Sequence, residues 1–158
     1  MAKSTVKMMS GDLEKLKKQL DAYADPPRIE EFMQACAKEL AARLLRKVIK
    51  RTPVGKYPKE SGKMGGTLRR GWTGEKRQGA QAYVNSLPVT HKGHDYVIEI
   101  INPVDYASYV EYGHRTRNHR GWAKGQFFLT ISEDEIRSTA PAILEKKILK
   151  QLEGMMQV

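Results

Sequence analysis

Cysteine and long apolar runs are scarce in this chain of 158 residues, and acidic residues are fewer than basic ones. The single cysteine, Cys36, excludes an internal disulfide and fits a reducing compartment. The longest apolar runs, such as residues 96–101, are far too short to span a bilayer, so no membrane protein is expected. The first residues lack the apolar core of a secretory signal, and none is expected.

Basic residues outnumber acidic ones by 28 to 18, which gives a formal net charge of +10. From Arg43 to Arg77 the sequence has twelve Lys or Arg and two Glu, a local excess of +10, so the remaining residues sum to zero. Such a segment favours nucleic acid, an acidic protein surface or an anionic lipid as partner, and charge alone does not choose among them.

Helical patterns lie at both ends of the chain. Residues 27–51 place Ile29, Phe32, Cys36 and Leu40 at helical spacing, with Cys36 as a small core residue, and this helix must end before Thr52-Pro53. A shorter amphipathic helix is predicted over residues 10–24. A terminal helix is predicted with a capping box from Ser132 to Glu135 and a kink or restart at Pro141, preceded by "QFFLTIS" as an edge strand or a helix entry.

The middle of the chain has the character of a sheet. "TLRRGWTG", "QAYVNSLPV" and "HDYVIEIINP" are predicted strands, the last with alternating apolar residues and with "THKG" near the turn before it. Trp72 is predicted to be a core residue. The fold class is therefore α+β, with a long amphipathic helix packed on a 3–4 stranded antiparallel sheet, a short helix and a C-terminal helix. We expect one domain over residues 27–158 and an N-terminal helical extension over residues 1–26.

A short helix is expected between Asn102-Pro103 and Gly113, its tyrosines used for packing, with Glu111 and His114 at a partly solvated end. Basic glycine-rich loops follow both this helix and the long one. The loop over residues 52–66 is expected to be mobile.

Catalytic and metal-binding readings find little support. His91 and His94 have a chelating gap but flank a predicted turn without further ligands, so no metal is expected. Glu111 and His114 could share a helix face, but no nucleophile accompanies them, so neither an enzyme nor a cofactor is expected. "GKYPKESGKMGGT" has the wrong spacing for a phosphate-binding loop, with Met64 in place of the required Ser or Thr.

A nucleic-acid-binding module remains the alternative. The basic segment carries Tyr57 and Trp72 among its cations, which could supply stacking rings, although no helix-turn-helix or RNP-type signature is present. Cytosolic nucleic-acid binding through residues 43–77 is therefore kept as the second interpretation.

Three stretches in this order resemble a known family: "RTPVGKYP" after the long helix, "GGTLRRGW" opening the predicted sheet, and "NPVDYASYVEYGHRT" followed by "GQFFLTIS". The resemblance is to the tail-completion, or tail-terminator and neck, proteins of long-tailed bacteriophages and prophages, and it covers roughly residues 28–153. In many relatives a short link nearly fuses the first two motifs, whereas residues 55–65 here form a longer lysine-rich loop. The matching positions are Thr52, Pro53, Val54, Gly66, Leu68, Arg69, Trp72, Asn102, Tyr106, Ala107, Glu111, Gly113 and His114.

The resemblance implies a non-enzymatic virion protein, assembled in the host bacterial cytoplasm and placed at the neck or tail end. It implies a ring, usually hexameric, that closes the tail tube, with copies of itself, the tail tube protein and the head–tail connector as partners and a transient contact with phage DNA. The cations would then either contact a neighbouring subunit, which we favour, or line the lumen. The candidate contact residues are Lys56, Lys59, Lys63, Arg69, Arg70, Arg115, Arg117 and Arg120.

Overall fold

The computed structural model of the chain describes residues 18, 21, 22, 24–74 and 78–156. Its α+β class agrees with the prediction, whereas the helix predicted over residues 10–24 lies almost wholly outside the described residues. In chain order the elements are α1 (Pro26–Arg51), a 3₁₀ turn (Lys59–Ser61), α2 (Thr67–Gly71), α3 (Ala80–Ser86), β1 (Thr90–Lys92), β2 (Asp95–Val97), α4 (Ala107–Tyr112), β3 (Gly113–Arg115), β4 (Trp122–Lys124) and α5 (Phe128–Met156).

The strands form two separate antiparallel hairpins within the described residues, in place of the single predicted sheet. Strand β1 pairs with β2, and β3 pairs with β4. Two of the predicted strands are helices instead, namely α2 and α3. Leu68 and Trp72, four residues apart, satisfy both a strand and a helix pattern, and the helix buries both of them.

The core forms around the C-terminal half of α1. Leu45 and Val48 are fully buried there, and the predicted core residue Trp72 meets Phe128 edge to face with ring centroids 6.1 Å apart. Ile98 and Ile100 pack against this core from the chain that follows β2. The buried cluster consists of Ala42, Leu45, Val48, Leu68, Trp72, Ala80, Val84 and Phe128.

Helix α5 begins at Phe128, so the second of the two readings of "QFFLTIS" describes it best. The predicted capping box is wrong, because Ser132 lies inside the helix and its hydroxyl donates to the Phe128 carbonyl at 2.6 Å. Pro141 does not end the helix. By internal contacts the described residues divide into two compact units. One includes those up to Cys36, which is buried as predicted, and those from Ala142 onward; the other lies within residues 37–141. The predicted domain boundary stays a prediction.

Thr52, the first residue after α1, joins that helix end to α2. Its hydroxyl donates to the Val48 carbonyl at 2.7 Å and accepts from Trp72 Nε1 at 2.8 Å. Its carbonyl accepts from Arg69 Nε at 3.1 Å and Nη2 at 2.7 Å. Because Thr52 is fully buried, these bonds satisfy polar groups that water cannot reach.

We expect T52V to destabilise the protein by about 1–3 kcal/mol, because Trp72 Nε1 loses its acceptor inside the core. The matched control is T139V, since Thr139 makes the same bond to a carbonyl four residues earlier but is exposed. Urea denaturation followed by tryptophan fluorescence measures both. Equal stability losses in the two variants would show that the Trp72 bond contributes little.

Glu135 on α5 accepts from Lys47 at 2.6 Å and from Arg51, both on α1. These hydrogen bonds, the one from Lys47 first, lower the pKa of the Glu135 carboxyl below its usual value. A carboxyl with a lowered folded-state pKa stabilises the fold above its unfolded-state pKa, and this contribution disappears as pH falls through the folded-state pKa.

E135Q should therefore be less stable than the wild type at neutral pH. This difference in stability should disappear as the pH falls below the ordinary pKa range of glutamate. The measurement is the urea midpoint of both proteins across a pH series. E145Q, at an exposed position on the same helix, is the control. Parallel pH curves for E135Q and the wild type would contradict the ion-pair interpretation.

Candidate functional site

Asn102 ties the third sequence motif to the second. Its side-chain nitrogen donates to the Leu68 carbonyl at 2.8 Å, and its Oδ1 accepts from the Val104 amide at 3.2 Å. A Cβ atom at position 71 would lie 2.3 Å from Asn102 Oδ1, so Gly71 is required where α2 approaches this side chain. The motif residues Leu68, Trp72 and Asn102 therefore build the scaffold.

The two adjacent arginines have different surroundings. Arg69 is half-buried and its guanidinium is bonded to the Thr52 carbonyl inside the subunit. Arg70 is exposed and donates to the Gly65 carbonyl at 3.2 Å. Their contact with a partner stays a prediction, and the bonds of Arg69 inside the subunit make Arg70 the better candidate.

The loop over residues 52–66 is folded back on itself. A Cβ atom at position 65 would lie 2.0 Å from the Gly55 carbonyl oxygen, so the two ends of the loop touch. Its middle contains the 3₁₀ turn, after which Gly62 has a left-handed φ of 64°. Pro53, of the first motif, is half-buried. The exposed cations on this loop are Lys56, Lys59 and Lys63.

A groove of about 340 Å³ lies between this loop and α4. Its lining includes Tyr57, Met64, Gly66 and Tyr106, and Met64 is 82% exposed. A flexible thioether and two aromatic rings are side chains that are common at protein-binding surfaces.

Glu111 is buried, contrary to the predicted solvated position, and caps the start of α5. Its carboxylate accepts from the amides of Leu129 and Thr130, each at 2.9 Å, and from the Thr130 hydroxyl at 2.7 Å. The amides in the first turn of a helix lack intrahelical acceptors and lie at its positive end, so a carboxylate there is strongly favoured. The role of Glu111 in the described structure is to position α5.

His114 is exposed, and its Nδ1 lies 3.4 Å from the Tyr109 carbonyl oxygen. Glu111 instead accepts its hydrogen bonds from α5. The two side chains considered as a catalytic pair therefore contact other groups and not each other. His91 stacks on Tyr96 with ring centroids 4.4 Å apart. Within residues 18, 21, 22, 24–74 and 78–156, no three His, Cys, Asp or Glu side chains converge as metal ligands would.

Residues 113–125 form the β3–β4 hairpin where a basic loop was predicted. Gly113 ends α4 as predicted, with φ at 86°, and a Cβ there would lie 2.4 Å from the Ala123 carbonyl oxygen. A Cβ at position 125 would lie 2.3 Å from the Glu111 carbonyl oxygen. These approaches fix the hairpin against α4. Its exposed cations are Arg115, Arg117, Arg120 and Lys124.

The tyrosines predicted to pack are largely exposed: Tyr109 and Tyr112 are each 58% accessible and Tyr106 is 45% accessible. Their spacing of three places them on one face of α4, while Ala107 and Val110 face the core. Across the hairpin, Trp122 is 62% exposed. Tyrosine, tryptophan and arginine are the side chains most enriched at the centres of protein interfaces.

A sequence comparison decides the class of protein. The family described as "Bacteriophage HK97-gp10, putative tail-component" matches residues 14–113. The chain belongs to this HK97-gp10-like family. Neither the curated proteins nor the solved structures include a match to the chain. The protein is thus a bacteriophage tail component and a constituent of the virion.

The match includes α1 and all three motifs as far as Gly113, which agrees with the predicted relationship to phage tail proteins. It begins earlier and ends earlier than the resemblance over residues 28–153. None of the helices in the described ranges is both long and apolar enough to cross a membrane.

Gly71 and Gly125 were not singled out from the sequence, although the fold needs both. A glycine next to the buried Trp72, and another directly before "QFF", are the signals that could have identified them. Their partners, Asn102 and the Glu111 backbone, are distant in sequence, so the close approaches become evident only in the folded chain.

E111Q should destabilise the protein by about 1–3 kcal/mol, because the amide removes the charge and one acceptor from the start of α5. E145Q, which changes an exposed glutamate of the same helix, should alter stability by less than about 0.5 kcal/mol. The comparison uses urea unfolding at neutral pH. Wild-type stability in E111Q would mean that the helix start does not depend on this carboxylate.

Proposed function

We propose that this tail component is a tail-completion protein, a subunit of a ring, usually hexameric, that closes the tail tube and joins it to the head connector. The observation that carries the proposal is the family match over α1 and the three motifs. The sequence resemblance to tail-completion proteins supports the specific position. The motif residues Thr52, Asn102 and Glu111 each make hydrogen bonds that hold the scaffold together.

Two exposed cationic segments project from that scaffold. One is the loop over residues 52–66, and the other is the β3–β4 hairpin. A ring subunit needs surfaces that meet its neighbours on both sides as well as the tube and the connector. Loop and hairpin supply such surfaces on rigidly held bases, which supports assembly rather than catalysis as their use.

The alternative, a nucleic-acid-binding module, loses support from the contacts of the basic segment. Lys47 and Arg51 bond to Glu135, Arg43 to Glu39, and Arg46 to Gln81. The Arg69 guanidinium is bonded to Thr52. Within the described residues, part of the local positive charge is thus bonded inside the subunit, which leaves fewer cations free to contact a phosphate backbone.

Electron microscopy of tail tubes from a phage that carries this chain tests the proposal. We expect purified protein to form a cap at one end of each tube. The triple substitution K56E/K59E/K63E should reduce capping by at least about tenfold, because it reverses the loop charge that meets a partner.

A matched control is K146E/K150E, at exposed sites on α5. Normal thermal unfolding of both variants shows that the effect is local. Uncapped tubes with the wild type, together with tight salt-dependent DNA binding by the monomer, would instead favour the nucleic-acid module.

A further inference from the structure

An acidic edge precedes the cationic hairpin in the sequence. Residues 93–112 contain no Lys or Arg, and their exposed acids are Asp95, Glu99 and Asp105. None of these three takes part in an ion pair within the described part of the chain. Between them Val97 is 37% exposed and Ile101 is 65% exposed. This surface therefore alternates acidic and apolar side chains.

The same segment has the features of an unpaired strand edge. Exposure alternates along residues 95–101, as in extended backbone, but the ladder with β1 ends at Val97. For residues 98–101 the described structure contains no backbone hydrogen bond. Unpaired strand edges accept another strand by main-chain hydrogen bonding.

An apolar groove of about 190 Å³ adjoins this edge. Leu44, Ile98, Ile100 and Leu129 contribute to its lining, and Glu133 adds a carboxylate. Ile98 and Ile100 thus hold the segment against the core, while the alternating residues Asp95, Val97, Glu99 and Ile101 face outward. This outward face would fit a cationic extended segment that also carries an apolar ring.

The β3–β4 hairpin has this chemistry. Its 13 residues include three arginines and one lysine and no acid. None of the ion pairs among the described residues involves these cations. Trp122 lies opposite Arg115 in the ladder and is largely exposed.

We propose that the β3–β4 hairpin of one copy docks along the edge at residues 95–101 of a second copy. Arg115 and Arg120 would meet Asp95 and Glu99, and Trp122 would cover the exposed Val97 and Ile101. Because hairpin and edge are different surfaces, the contact is heterologous, and repeating it closes a ring where the rotation permits. The inference rests on the proposed ring and names the surfaces that form it.

The size of the contact sets its strength. A stable interface uses about 20–30 residues on each side, and the hairpin has roughly half of that number. Association of the free chain should therefore be weak and salt-sensitive, and the tail tube should consolidate it by holding neighbours together. Association is best measured both in solution and on tubes.

Reciprocal charge reversal tests the pairing. R115E/R120E alters the hairpin, D95K/E99K alters the edge, and a third protein carries all four substitutions. Each pair alone should weaken self-association in sedimentation velocity, and capping of tubes, by at least about tenfold. Their combination should recover both to within about threefold of the wild type, because the opposite charges face each other again.

K146E/K150E and E145K/E153K carry the same changes in charge at exposed sites of α5 and should associate normally. If R115E/R120E does not fold, R120E at the hairpin turn replaces it, and it is combined with E99K. Unchanged association in either reversal, or no recovery in the combination, overturns the inference. The inference is also overturned if R115E/R120E loses DNA binding but associates normally. If the wild type still caps tubes in any of these outcomes, the proposed function stands and only the hairpin contact is wrong. If the wild type leaves tubes uncapped, both proposals are wrong.

Discussion

The end of α1 depends on one buried threonine. The Thr52 hydroxyl accepts a hydrogen bond from Trp72 Nε1, and the Thr52 carbonyl accepts one from the Arg69 guanidinium. The end of α1 is therefore hydrogen-bonded to the second motif. Proline at position 53 already prevents the helix from continuing, and Thr52 satisfies the polar groups left at that boundary. The loop over residues 52–66 can then leave the core without unpaired buried groups at its base.

A second constraint lies at the start of α5, where the buried Glu111 carboxylate holds two amides and a hydroxyl. The chain reaches it by a tight path, since Phe127 has a left-handed φ of 49° and its amide donates to the Glu111 carbonyl at 3.0 Å. Such a conformation costs about 1–2 kcal/mol for a residue with a side chain. The capping bonds offset that cost, and the hairpin between Gly113 and Gly125 is thereby held in place.

The sequence predicts an element well where residues close together in the chain determine it, and poorly where contacts between distant residues do. The periodicity of α1 over seven turns identifies its span almost to the residue, and Gly113 marks the end of α4. For α2 the spacing of Leu68, Arg70 and Trp72 fits a strand as well as Leu68 and Trp72 fit a helix. Packing of Gly71 against Asn102 distinguishes the two, and that contact joins residues far apart in sequence. The roles of Glu111 and Arg69 depend likewise on distant backbone.

The same distinction separates scaffold from surface among the motif residues. Thr52, Leu68, Trp72 and Glu111 are buried, so substitutions there act first through stability. The residues that can meet a partner are the exposed ones, and their charges are segregated along the chain: acids alone over residues 93–112, cations alone over residues 113–125. Two neighbouring surfaces of opposite sign cannot both be satisfied by one acidic or one basic partner. A second copy of the chain would present the complement of each, so the charge segregation supports the proposed head-to-tail assembly over binding to a uniform polyanion.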